Sequence, residues 1–161
     1  MPNYASGNNR PNTAYSSNQR PSNGGYGRGQ DETPPLDVSK MVFGDTLDPN
    51  IYADVAESIA KAIGDDKRNA VKSTQARRFY DEVVMWEEKI RQNPASFAEN
   101  LPLIKMMKAK VAYAEGRKHI DAGFERMMNT GLNQVVCPKT LTQFKTFFEA
   151  FMGFYKVYGP K

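Results

Sequence analysis

From Leu36 onward, apolar residues recur every three or four positions and polar residues fill the gaps. That is the period of α-helices buried along one side. Asp48-Pro49 is a start signal, a capping residue followed by proline at the first helical position. Ile51, Tyr52, Val55, Ile59 and Ile63 then repeat at helical spacing, with Gly64 as the expected stop. Ser73 or Thr74 is expected to cap a second helix. Its core face is Ala76, Phe79, Tyr80, Val83, Val84 and Ile90, and it ends before Asn93-Pro94. A third helix begins near Pro102, with Leu103, Ile104, Met107, Val111 and Ala114 as its apolar stripe and Gly116 as its kink or end. Ile120, Phe124, Met127 and Met128 mark a fourth, with Gly131 as the expected stop. Pro138 opens the last helix, which carries Leu141, Phe144, Phe148, Phe151, Tyr155 and Tyr158, widened by Phe147, Met152 and Phe154. No useful length alternates with period two, so no sheet is expected. The pattern predicts an all-α protein, a compact bundle of about five helices behind a disordered N-terminal tail.

That tail, residues 1–35, contains no Leu, Ile, Val, Phe or Trp. It cannot bury enough apolar surface to offset the entropy of ordering. Tyr4, Tyr15 and Tyr26 are interspersed with Arg10, Arg20 and Arg28. Such a composition suits a solubilising segment, and it is also similar to low-complexity segments that stack loosely on RNA bases. Residues 36–161 form the expected helical domain.

The chain has 161 residues, a net charge of +4 and one cysteine, Cys137. A single thiol excludes an internal disulfide and a cysteine-built zinc site, and it fits a reducing cytoplasm. The N-terminus lacks the apolar stretch of a secretion signal, and no run reaches the roughly 18 apolar residues of a membrane span. A soluble cytoplasmic protein without membrane contact is expected.

Leu101 to His119 changes the picture, because the balance of charge there is one-sided. Its charged positions are Lys105, Lys108, Lys110, Arg117 and Lys118 against one acid, Glu115. Solvated helix faces usually alternate sign, since opposite charges three or four residues apart stabilise a helix. A face of one sign suits a polyanion, most commonly nucleic acid. At 100° per residue, Lys105, Lys108 and His119 fall opposite the apolar stripe, while Lys110, Tyr113 and Arg117 share one flank. Tyr113 suits packing on a ribose or base. Lys67, Arg68 and Lys72 add a second basic patch. Ordinary solvation by long lysine stems is the competing explanation.

Catalytic equipment is sparse. His119 is the only histidine, and beside Arg117 and Lys118 it is more often a phosphate or water contact than a general base. No phosphate-cradling glycine loop and no metal motif is present. The carboxylates have helical neighbours that account for them: Arg77 for Asp81, Arg78 for Glu82, and Lys145 for Glu149. No acid, base, nucleophile or metal set assembles, so neither an enzyme nor a cofactor is expected.

Three segments in order carry a family resemblance: STQARRFYDEVV (73–84), LPLIKMMKAKVAYAEGRKH (101–119) and FKTFFEAFMGFYK (144–156). Together they resemble the small subunit of the type III-A CRISPR interference complex, the Csm complex, over roughly Ile51 to Lys156. The resemblance implies a non-catalytic helical subunit in antiviral defence. It implies copies stacked head to tail in the filament, beside the backbone and large subunits. It also implies contact with the backbone of the guide RNA–target RNA duplex, with Arg77, Lys105, Lys108, Lys110 and Arg117 as phosphate contacts. The long tail departs from the family pattern, and no role carries over to it. A helical self-association module without RNA binding, and the type III-B small subunit, are the competing readings.

Overall fold

A computed structural model describes residues 34–65 and 71–160. All regular structure among them is helical. A π-helical turn, Ile51–Val55, runs into α1, Ala56–Asp65. There follow α2 (Ser73–Gln92), a 3₁₀ turn (Pro94–Ser96), α3 (Phe97–Lys105), α4 (Met107–Gly116), α5 (Ala122–Gln134) and α6 (Pro138–Tyr158). Only Met106 separates α3 from α4, so the described chain forms five helical rods, one of them broken. Most of the expected tail, and the patch residues Lys67 and Arg68, lie outside the described residues.

The aromatic pattern of α6 makes it the axis of the fold. Phe144, Phe147, Phe148 and Phe151 are fully buried, and Tyr155 nearly so. Their rings form a ladder: Phe144 on Phe148 at 6.0 Å between centroids, Phe148 on Phe151 at 6.0 Å, and Phe151 on Tyr155 at 5.3 Å. Phe124 of α5 joins Phe148 and Phe151, and Phe79 of α2 joins Phe124. Burying each such side chain contributes about 1.5–3 kcal/mol, so this cluster dominates the driving force. Helices α1 and α2 both pack along α6, whereas α4 packs mainly on α5.

Helix boundaries differ from the expected ones in physically informative ways. Gly64 and Gly131 sit inside helices rather than after them. A Cβ on Gly64 would meet the Tyr158 carbonyl oxygen at 2.6 Å, and one on Gly131 would meet the Phe144 ring at 2.2 Å. Both glycines are there for close approach to α6. The N-cap of α2 is Lys72, so neither Ser73 nor Thr74 caps it. The third rod starts at Phe97, five residues ahead of Pro102, which is accommodated inside α3. Leu103, expected in the core, is 46% exposed. The end of α2 and the proline start of α6 are as the sequence predicts.

Residues 34–50 are not helical, contrary to the expectation that the helical pattern runs from Leu36. They form a strap that buries Met41 and Phe43. Phe43 packs on the rings of Phe144 and Phe147. Two glutamines hold its backbone: Gln134 accepts from Phe43 N at 2.7 Å and donates to Met41 O at 2.7 Å. Gln143 accepts from Gly44 N at 3.0 Å and donates to Gly44 O at 2.9 Å. These side chains do the work that a helix ladder would do for the strap's polar groups.

Tyr155 lends the fold an alkaline limit. Its hydroxyl donates to the Val71 carbonyl at 3.0 Å. Burial, reinforced by the charge of Asp121, pushes its pKa from 10.0 up to about 12. The neutral phenol is therefore favoured in the folded state, and its contribution is complete below pH 10. Stability should fall as pH rises from 10 to about 12, by about 2–3 kcal/mol in full. Urea titrations across this range should show that fall, and Tyr155→Phe should remove this component of it.

Candidate nucleic-acid interface

The basic face is built on α3 and α4, with α2 on one side and the end of α5 on the other. The break at Met106 sets its layout. Ala109 N bonds to Met106 O at i−3, tightening the turn and changing the phase between the two halves.

Lys105 and Lys108 turn toward α5. The Lys105 ammonium donates to the carbonyls of Leu132 and Asn133, the latter at 3.2 Å. These belong to the last turn of α5, where carbonyls lack intrahelical partners and the helix dipole is negative. Burial, and then the charge of Lys108, lowers the Lys105 pKa. Lys108 donates to the side-chain oxygen of Asn133 at 2.9 Å and remains partly exposed.

Lys110, Tyr113 and Arg117 form the second row, on the side facing α2. Lys110 pairs with Glu82 of α2 at 2.6 Å. Tyr113 is 65% exposed. Arg117 donates to its hydroxyl at 3.2 Å, with the guanidinium 5.7 Å from the ring centroid. Arg77, on α2, pairs with Asp81 at 2.8 Å and lies 5.5 Å from the Tyr80 ring centroid. The structure thus groups Lys110, Tyr113 and Arg117, sets Lys105 and Lys108 against the end of α5, and keeps Arg77 apart on α2.

Two pairings differ from those the sequence suggests. Glu82 is taken by Lys110, and Arg78 makes no ion pair among the described residues. His119, expected beside Lys105 and Lys108, lies on the α2 side instead. The helix ends at Gly116, and Lys118 adopts a positive φ of 56°, so the 100° step does not extend to residue 119. Glu149 pairs with Lys145 at 2.7 Å, as its spacing predicts.

Between α2 and α4 runs an open groove of about 630 Å³. Gln75, Arg78, Phe79 and Glu82 form one wall, and Met106, Ala109, Lys110, Tyr113 and Ala114 the other, with His119 at the edge. Sequence reasoning left Arg78 and Met106 out of any site. Met106, Lys110 and Tyr113 follow one another at four and three residues, the spacing of a single helical row.

The family model described as Csm2 Type III-A matches residues 49–161. The chain belongs to the Csm2 Type III-A family. It is therefore a small subunit of the type III-A Csm complex. No curated protein and no solved structure matches it. The Csm2 match takes in every helix among the described residues and all of the α3–α4 basic face. It begins at the last two residues of the strap, so Met41 and Phe43 are core residues outside the matched stretch. No described helix is long and apolar enough to cross a membrane.

Proposed function

We propose that this chain is a non-catalytic RNA-binding subunit of a cytoplasmic Csm ribonucleoprotein, touching the backbone of the guide RNA–target RNA duplex. The observation that carries this reading is the exposed row of Lys110, Tyr113 and Arg117 on the α2 side of α4 and its C-cap, with the partly exposed Lys108 on the α5 side of the same helix. Base pairing with a guide supplies sequence specificity, so the protein needs only charge and shape. An A-form duplex hides its major-groove edges, which also favours backbone contacts. Of the candidate cations, Lys110 and Arg77 hold carboxylates. Partly exposed ion pairs are worth about 0–1 kcal/mol, and a phosphate can displace such a partner. Lys105 serves the fold in this reading, as an anchor for the end of α5.

Glu82 then opposes binding, because it sits where phosphate approaches Lys110. Glu82→Gln should raise affinity for a paired RNA by about threefold at low salt, the size of one unit repulsion in a largely aqueous setting. Filter binding or anisotropy on a short RNA duplex tests this; weakened binding by the variant would count against the proposed face.

Self-stacking beside the backbone and large subunits completes the reading. Residues 34–65 carry Asp37, Asp45, Asp48, Asp54, Glu57 and Asp65 against Lys40 and Lys61. That acidic segment carries charge opposite to the basic α3–α4 face, as a head-to-tail contact between copies requires. Met85 at 48% and Leu103 at 46% exposure add apolar surface suited to a protein neighbour. Light scattering with and without RNA separates stacking on RNA from self-association alone.

A further inference from the structure

The α2–α4 groove has a chemistry that a paired duplex does not use. A duplex keeps its bases stacked and paired, so only its backbone can lie on the Lys110–Arg117 row. The groove is open and largely apolar, with Phe79, Met106 and Ala109 among its lining residues. Its size falls within the range of about 300–1,000 Å³ typical of small-ligand clefts. At its rim Tyr113 offers an exposed ring already faced by a guanidinium. Across from it, Arg78 is exposed and makes no ion pair among the described residues, whereas Arg77 holds Asp81 and Lys110 holds Glu82. Gln75 and His119 add donors and acceptors at the edge.

An apolar seat, an aromatic face, edge hydrogen bonders and one uncommitted cation are what an unpaired nucleotide requires. We infer that the α2–α4 groove seats one unpaired nucleotide of the bound RNA, its base against Met106, Ala109 and Tyr113 and its phosphate on Arg78. This rests on the RNA-binding reading above and adds a ligand to it.

The experiment uses the full chain and two RNA duplexes that differ only by one unpaired nucleotide, labelled with 2-aminopurine. The bulged duplex should bind about tenfold tighter than the continuous one, within the range that stacking a single base supplies. Binding should also quench its fluorescence. Ala109→Trp, which fills the groove from an exposed position, and Arg78→Ala, at a surface side chain, should each abolish the preference and leave affinity for the paired duplex unchanged. Equal affinity for both RNAs would overturn the groove assignment and leave the duplex reading intact. Binding to neither would overturn both. A preference that survives Arg78→Ala and a correctly folded Ala109→Trp would also overturn it. So would loss of subunit assembly in those variants without loss of RNA preference, which would give the groove to a protein neighbour.

Discussion

Gly131→Val should destabilise the protein by about 3 kcal/mol, the upper end of what overpacking a core costs. A Cβ at this position would lie 2.2 Å from Cε2 and 2.5 Å from Cδ2 of Phe144. That ring cannot swing aside, because Phe43 and Phe148 each hold it within about 6 Å, centroid to centroid. Phe144 is itself fully buried. The backbone of α5 would have to lift from α6, opening the contact at the centre of the aromatic ladder. Urea unfolding gives the loss directly. If Gly131 served only as a helix stop, the substitution would cost about 1 kcal/mol, as for an ordinary backbone effect. A paired change separates the two accounts. Phe144→Leu alone leaves a cavity, but combined with Gly131→Ala it should cost less than the two single changes summed. Strict additivity would mean that the two residues do not compete for space.

The same glycines show how far the sequence can be read. Periodicity located the five helical rods, most clearly α6 with its wide buried face, but not the early start of the third rod at Phe97 or its break at Met106, where the buried stripe changes phase. A glycine near the end of an apolar run, however, looks alike whether it stops a helix or admits a neighbouring ring. Only the position of Phe144 and Tyr158 in space distinguishes them. The strap was illegible for a related reason. Met41 and Phe43 belong to a three-residue apolar run, Met41-Val42-Phe43, too short to show a period, and the strap's backbone is satisfied by Gln134 and Gln143, more than 90 residues away in sequence. The basic face was legible as charge but not as pairing. Glu82 reaches Lys110 from another helix, and the carbonyls of Leu132 and Asn133 draw Lys105 across to α5. Local spacing carries no record of such contacts.

The charges give the second large effect. Replacing Lys108, Lys110 and Arg117 together by alanine should weaken binding to paired RNA by about a hundredfold at low salt, and should flatten the salt dependence. Each phosphate neutralised contributes about 0.9 to the slope of log K against log salt on a B-form DNA duplex. Three lost contacts should therefore remove about 2–3 from the slope, with Lys110 giving the least because it must first leave Glu82. Lys105→Met is the internal control. Its ammonium is committed to two α5 carbonyls, so its loss should cost about 1–2 kcal/mol of folding stability and leave the slope unchanged. The two variants thus move different observables, melting for one and counterion release for the other. An unchanged slope in a normally folded triple variant would detach RNA from this face. A slope lowered by Lys105→Met would return that lysine to the interface.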